Sequence, residues 1–546
     1  MSAPKEILIL GGGFAGVYTA RALEKLLRPG EANITLVNRE NYWVYQPMLS
    51  EVISGSIGVA NVVSPIRRLC PRTNLVTREI EAIDLANRTV TVSPGFRPRH
   101  LELRYDYLVI ALGNVTNFYG MPGMFENAFP FKTLADAMLL RNHVIRTLEE
   151  ADVEADPELR RKLLTFVVGG GGFSGVEVIA ELNDFVRAVK KNYLRLRNEP
   201  HRAVLVHSRN RILQEMAEPL ALFAEKTLRK RGVEIILEDR LVAATSEKAI
   251  LKSGKEIAAK TIVCTVPSTL APVIQKLDCA KDKGKLITNT GLELQGFEGQ
   301  VWALGDCASV RTVSGSEAPP TAQHAIREAT TAAANIAAAI HGGQRVQFAF
   351  EGLGTLGSLG HGAAVAQILG VKISGLIAWI LWRCIYLAKM PGVNRKARIA
   401  TDWLLHLLFP PELAQTKLDP ESGIQNQHFQ AGDVVFQQGD LGDSVYVIEE
   451  GECDVLREQD GQSRLLATLK AGDYFGEMAL LADQSRNATI QARTPMKVLI
   501  IPKGDFNKLR HSVPAFGDVF RELAKKRAAQ ATPAAPAAKT LDSAGI

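Results

Sequence analysis

Two glycine-rich turns of identical spacing constrain this chain more than any other feature. Gly11-Gly12-Gly13-Phe14-Ala15-Gly16 follows the apolar run Ile7-Leu8-Ile9-Leu10, and Gly170-Gly171-Gly172-Phe173-Ser174-Gly175 follows Phe166-Val167-Val168. Each sits between a strand-like run and a helix-like run. Glycines there permit a tight turn and let a pyrophosphate approach the backbone N–H groups of a helix N-terminus. One such loop is a weak signal. Two in this arrangement imply two dinucleotides, and a flavin facing a nicotinamide is the economical assignment.

The 546 residues exceed what one core supports, so three or four domains are expected. A hydrophobic content of 46% and a charged content of 22% fit a globular protein, and a net charge of +6 gives no reason to invoke nucleic acid. Cys70, Cys264, Cys279, Cys307, Cys384 and Cys453 form no CxxC pair, so neither a metal site nor a disulfide scaffold is expected. The first strand begins at Ile7, which leaves no room for a secretory signal, and a cytoplasmic protein is expected.

Strands and helices alternate from residue 1 to 115 and again from 160 to 270. Gln300 to Asp306 reads as a strand ending in an acidic turn, before an alanine-rich helix from Thr321 to Ile340. Ile373 to Met390 carries Trp379, Trp382 and Tyr386, but its apolar run ends at Arg383, too short to span a bilayer. Trp403 to Phe409 is a second apolar stretch, and Lys389, Arg395, Lys396 and Arg398 lie between. Aromatic-apolar faces beside basic residues fit helices lying on a membrane surface. Beyond Pro410-Pro411, short strands punctuated by glycine suggest a small β-roll, followed by a helical segment and an alanine- and proline-rich disordered tail.

Residues 1 to about 410 resemble a type II NADH dehydrogenase, within the flavoproteins that have two dinucleotide-binding domains. The motifs carrying the resemblance are GGGFAG, NYWVYQPML, LVIALG, GGGGFSGVE, VWALGDCA, PPTAQHA and GTLGSLGHGAAVA. The resemblance implies an α/β fold: two Rossmann-type domains, an amphipathic membrane-surface segment and the C-terminal β-roll. The FAD-binding domain is expected at 1–115 and 275–345, and the NAD(P)H-binding domain at 160–270. The helical segment is expected at 346–411, a linker at 412–426, the β-roll at 427–520 and the tail at 521–546.

On the flavin side the resemblance carries over Gly11, Gly13 and Gly16 to the FAD pyrophosphate. Asn38, with Arg39 beside it, stands where an acid usually meets the FAD ribose. Gln46 and Pro47 pass near the isoalloxazine, Ala111 and Gly113 form the turn leaving the domain, and Asp306 takes a ribityl hydroxyl. Asn41 to Ile57 holds no cysteine pair, so electrons are not expected to leave through a dithiol. Cys307 is expected to be structural.

On the nicotinamide side, Gly170, Gly172 and Gly175 form the loop, and Glu177 stands at the nicotinamide–flavin junction. The following strand ends in His207-Ser208-Arg209-Asn210-Arg211, without the acid that would repel a 2′-phosphate. NADH or NADPH is therefore expected, with His207 and Arg209 as phosphate partners. The relatives' AQxAxQQ stretch appears as Ala322-Gln323-His324-Ala325-Ile326-Arg327-Glu328, which keeps Gln323 as a catalytic candidate and replaces the paired glutamines. A membrane quinone is the expected acceptor, with a soluble acceptor as the alternative. His324 is either a proton donor or a packing residue.

Residues 427–520 resemble a cyclic-nucleotide-binding domain. Gly476, Glu477, Met478 and Ala479, then Arg486, Asn487, Ala488 and Thr489, match its phosphate-binding cassette, with Glu477 and Arg486 nine positions apart. The carboxylate suits the ribose 2′-hydroxyl and the guanidinium the cyclic phosphate of cAMP or cGMP. Together these readings point to a homodimeric FAD enzyme on the inner face of the cell membrane, modulated by a cyclic nucleotide. A redox or cyclic-nucleotide sensor is the alternative from another class.

Overall fold

The computed structural model describes residues 3–94, 100–118, 120–266, 268–415, 425–440, 444–459, 462–478, 486–502 and 506. Ala479, linker residues 416–424 and the segment 507–546 lie outside the described residues. The chain divides into two compact units: Met1–Tyr119, Phe129–Leu241 and Leu251–Gln415 in one, Gly120–Ala128, Val242–Ile250 and Thr416–Ile546 in the other.

The first unit is built on two five-stranded parallel sheets of the same design. In one, the order is Val301–Ala303, Tyr107–Ile110, Lys5–Leu10, Ala32–Asn38 and Asn74–Thr77. In the other it is Phe129–Pro130, Thr261–Cys264, Thr165–Gly169, Arg202–Val206 and Val233–Ile236. The strand before each glycine loop lies at the centre of its sheet. Both central strands are buried where they enter the loop, which is why each reads as an unbroken apolar run rather than an alternating one. The register Ile7↔Ile34 and Ile7↔Tyr107 places the first loop at the carboxyl edge, and Phe166↔Ala203 and Phe166↔Thr261 do the same for the second.

The helices Phe14–Leu26 and Phe173–Val189 begin directly at the loops. The Ala322–His341 helix buries Ala325, Ala329, Ala332, Ala333 and Ile336, and its small side chains let it lie close against Phe14–Leu26. Gly342, at φ 74°, ends it in the left-handed conformation.

Residues 346–375 differ from the expected all-helical segment. Gly354–Ser358, Ala364–Ile368 and Val371–Gly375 form a three-stranded antiparallel sheet, and helix begins only at Leu376. The tight Leu369-Gly370 turn, with both residues at positive φ, favours a strand hairpin there. Two helices follow, Leu376–Lys389 with 14 residues and Val393–Leu408 with 16. No described helix is long and apolar enough to cross a membrane.

The second unit contains two four-stranded antiparallel sheets. Their orders are Gln425–Phe429, Met496–Pro502, Ser444–Glu450, Tyr474–Phe475 and Val434–Phe436, Thr489–Ala492, Glu452–Gln459, Gln462–Lys470. Phe429, Ile448, Phe475, Ile490 and Val498 form its core.

Candidate functional site

The glycine loops owe their shape to contacts a side chain would destroy. Gly11 and Gly170 have φ of 105° and 117°, and a Cβ on Gly11 would collide with the Ala111 carbonyl. A Cβ on Gly16 would strike the Gly11 carbonyl, and one on Gly175 the Gly170 carbonyl. Gly13 and Gly172 face open space instead. The loops are thus closed towards the sheets and open at the helix N-termini, a cradle that fits the pyrophosphate of a dinucleotide such as FAD or NADH. Two glycines that sequence reasoning left aside are also required: Asn38 packs over Gly12 and His207 over Gly171.

Those two side chains serve the loops. Asn38 Oδ1 accepts the Gly12 N–H at 2.8 Å and its Nδ2 donates to the Glu40 carbonyl at 2.8 Å. His207 Nδ1 accepts the Gly171 N–H at 3.0 Å. Arg39 pairs with Glu79 at 3.6 Å, while Arg209 is exposed.

A cavity of about 690 Å³ lies inside the first unit, within the range of small-molecule sites. Phe14 and Phe173, the first residues of the two loop helices, both line it. So do Gln46, Pro47, Glu177 and Gln323, together with Tyr45, Leu356, Arg327, Tyr386 and Lys389. The loop glycines, Asn38, Asp306, His207 and Arg209 lie outside its wall.

Glu177 Oε1 accepts the Ser358 N–H at 3.1 Å, and burial pushes its carboxyl up to about 8. Gln323 is committed at both ends of its amide, donating to the Gly354 carbonyl and accepting the Leu353 N–H, each at 3.1 Å. It therefore ties the start of the antiparallel sheet to the helix while also lining the cavity. His324 is buried, bonded through Nδ1 to Thr321 Oγ1 at 2.7 Å and set edge-on to Phe350. This is a packing arrangement. Asp306 accepts from Asn114 Nδ2 at 3.0 Å, with its carboxyl raised by burial against the opposing pull of Lys132. Cys307 is fully buried, its thiol directed at the Leu304 and Ile110 carbonyls, and burial pushes it up to about 12.

Two carboxyl groups escaped the sequence reading. Glu328 accepts the Gly305 N–H at 2.7 Å and so holds the Asp306 turn. Burial raises it to about 7. Its signal was an acid on the buried stripe of an alanine-rich helix. Glu51 accepts from Trp403 Nε1 at 2.9 Å and lies 3.6 Å from Arg383, whose guanidinium stacks on Trp379 and Trp403. Nothing local in the sequence pointed to it.

The sequence matches the pyridine nucleotide-disulphide oxidoreductase family over residues 5–329, the NDH2 C-terminal domain over 353–410 and the cyclic nucleotide-binding domain over 426–512. The chain belongs to the type II NADH dehydrogenases, within the pyridine nucleotide-disulphide oxidoreductases.

Among relatives of this type II family, a demethylphylloquinone reductase (NdbB) of Synechocystis is 30% identical over 410 residues, covering 74% of this chain and 96% of that protein. A type II NADH:quinone oxidoreductase of Staphylococcus aureus is 28% identical over 378 residues, covering 68% and 91%. The structure of NDH2 from Plasmodium falciparum in complex with NADH superposes with a TM-score of 0.69 at 18% identity, covering 75% of this chain and 99% of that one.

The tryptophans of the helical pair correct one expectation for this type II enzyme. Trp382 and Trp403 are buried in the protein's own core rather than displayed. The exposed apolar side chains are mostly aliphatic instead, Leu376, Ile377, Ile380, Leu404, Leu405, Leu407 and Leu408, with Phe409 beside them.

In the second unit, Arg486 is folded inwards. It is 4% exposed, donates to the Gly476 carbonyl at 2.7 Å and the Ser444 carbonyl at 2.9 Å, and lies 4.1 Å over the Phe436 ring. Glu477 is buried, Thr489 Oγ1 accepts the Gln438 N–H at 3.0 Å, and Asn487 is exposed, while Met478 and Ala488 are half-buried.

Proposed function

We propose that the first unit oxidises NADH with FAD as its resident cofactor and hands two electrons to a quinone. One observation carries this reading: a cavity onto which the first residues of both loop helices open, Phe14 from one and Phe173 from the other. Bound FAD supplies the two-electron chemistry. The chain's residues supply binding and orientation. Gly11, Gly13 and Gly16 admit the flavin pyrophosphate, and Gly170, Gly172 and Gly175 that of the nicotinamide. Gln46, Pro47, Ala111 and Gly113 shape the flavin's seat, and Asp306 receives a ribityl hydroxyl. Glu177, held by Ser358 and raised by burial, retains a proton near neutral pH and is set to orient a carboxamide at the junction.

With His207 engaged by its own loop, the exposed Arg209 is the cation at this strand end that favours acceptance of NADPH. The aliphatic face of the helical pair, with Lys389, Arg395, Lys396 and Arg398 nearby in sequence, fits attachment to a membrane surface, with a homodimer as the assembly. The second unit is assigned to a cyclic nucleotide, with Glu477 as the partner for ribose and Arg486, once turned out from its inward position, as the partner for phosphate.

The test is anaerobic oxidation of NADH by the purified full chain with a quinone or with ferricyanide. One NAD⁺ formed per quinone reduced is expected. Reduction of ferricyanide alone would replace the quinone with a soluble acceptor.

A further inference from the structure

The cavity wall is strongly biased in charge. Three cations line it, Lys132, Arg327 and Lys389, against the single carboxyl of Glu177. Lys132 has a counter-charge in Asp306, and each favours the charged form of the other. Arg327 and Lys389 have none: among the described residues, neither lies within 4.0 Å of a carboxylate.

Their settings keep them available. Arg327 lays its guanidinium on the face of Phe350, 4.1 Å from the ring centroid, and donates one N–H to the Gln323 carbonyl at 3.3 Å. A guanidinium has five N–H donors, so stacking one face and engaging one donor leaves the rest of the fork able to meet a planar anion. Lys389 ends the Leu376–Lys389 helix, and burial, then the charge of Arg327, push it down. The two cations therefore sense each other. Ile326, Leu356 and Tyr386 line the same cavity and offer an apolar, aromatic surface to a ring. Lys389 is open to solvent, and an anion held between the two like charges would relieve their repulsion at this wall.

We propose that Arg327 and Lys389 select an anionic acceptor, a quinone ring bearing a carboxylate, with Arg327 gripping the carboxylate and Lys389 adding its point charge. This rests on the reading of the cavity as the acceptor site for NADH oxidation. The carboxylate is a handle and is unchanged by the reaction. NADH gives up a hydride, which carries two electrons and one proton, and a second proton comes from solvent. The quinone's two carbonyl oxygens take the protons, leaving NAD⁺ and the hydroquinone.

The experiment compares 1,4-naphthoquinone-2-sulfonate, the soluble anionic probe, with neutral 2-methyl-1,4-naphthoquinone. Wild type, Arg327→Gln, Arg327→Lys and Lys389→Gln are assayed as FAD-loaded full chains. Every variant sees the same two acceptors, so their difference in driving force cancels. Arg327→Gln should weaken the preference for the sulfonate in KM by about tenfold, the scale of one charge-assisted hydrogen bond. Arg327→Lys should retain part of that preference. A parallel arm titrates 3-hydroxy-2-naphthoate, which accepts no electrons, by calorimetry at low and high salt. Its affinity should fall in Arg327→Gln and with added salt.

A preference unchanged in Arg327→Gln, while the neutral quinone turns over normally, overturns this inference and leaves quinone reduction standing. Turnover of neither quinone removes the quinone reading, and naphthoate binding lost in Arg327→Gln then still supports an anion-selective cavity. Loss of binding to anionic vesicles in Arg327→Gln with an unchanged acceptor preference overturns the inference in favour of a lipid phosphate.

Discussion

The Nδ1 atom of His207 accepts the backbone N–H of Gly171 at 3.0 Å. Asn38 and Gly12 make the equivalent bond in the other sheet at 2.8 Å. In each, the residue after or at the end of the second strand locks the glycine loop of the first. A ring nitrogen can accept only when unprotonated, so the loop needs neutral His207. Burial holds this histidine below its usual range. A depressed folded value means the loop's stability is complete above about pH 6.5 and is lost as the pH falls towards the folded value. KM for NADH should be flat above that pH and rise below it. His207→Asn, which preserves an acceptor, should flatten the acid limb. His143 and His201 are pushed by burial to about 4, so a limb that persists in His207→Asn only near pH 4 belongs to them.

Glu328 offers a second pH test with the opposite sign. Burial raises its carboxyl to about 7, so the folded state prefers the neutral acid. Its contribution is complete below about pH 4.5 and declines as the pH rises through 7. Glu328→Gln keeps an acceptor for the Gly305 N–H and removes the ionisation. It should melt like wild type at pH 4.5 and be more stable by about 3 kcal/mol at pH 8. Glu328→Ala removes the same ionisation but leaves a buried N–H unpaired, so it should lie about 1–3 kcal/mol below Glu328→Gln at either pH. Equal melting of all three proteins at pH 8 would show that the carboxyl has no such role.

The parallel sheets were legible because their central strands are buried on both faces and each runs into a turn only glycine can make. The antiparallel sheet at 354–375 was hidden because a short, glycine-rich apolar run beside a tryptophan-rich helix carries no distinct period. Gln46, Pro47 and Glu177 were singled out by the resemblance to the type II NADH dehydrogenases, and all three line the cavity. Glu51 could not, since its partners Arg383 and Trp403 lie more than 300 residues away. The partners of Gln323 were hidden for a different reason, because Leu353 and Gly354 lie at the start of a sheet that was not expected.

Arg383 gives a test of that hidden cluster. It stacks between Trp379 and Trp403 and faces Glu51, which burial raises to about 7. Arg383→Met removes the charge that opposes this shift and should destabilise the protein by about 3 kcal/mol, as for other broken buried pairs. Adding Glu51→Gln should recover most of the loss, since the amide still accepts from Trp403 and buries no charge. The cycle is read from denaturant unfolding of the four proteins. Additive losses would mean that the two side chains do not act together.

Arg486 gives the last prediction, because the guanidinium assigned to a cyclic phosphate is already engaged. It donates to the carbonyls of Gly476 and Ser444 and rests on Phe436. A phosphate must therefore exchange places with two carbonyl oxygens, and the apparent affinity is reduced by the fraction of molecules with Arg486 turned out. Weakening the inward state should tighten binding. Phe436→Leu keeps an apolar side chain and removes a cation–π contact of about 0.5–2 kcal/mol, so cAMP should bind roughly 2- to 30-fold more tightly. Arg486→Ala should abolish binding. Fluorescence titration with a labelled cyclic nucleotide measures all three. Equal affinity in wild type and Phe436→Leu would rule out the inward state as a brake, and binding that survives Arg486→Ala would remove the arginine from the site.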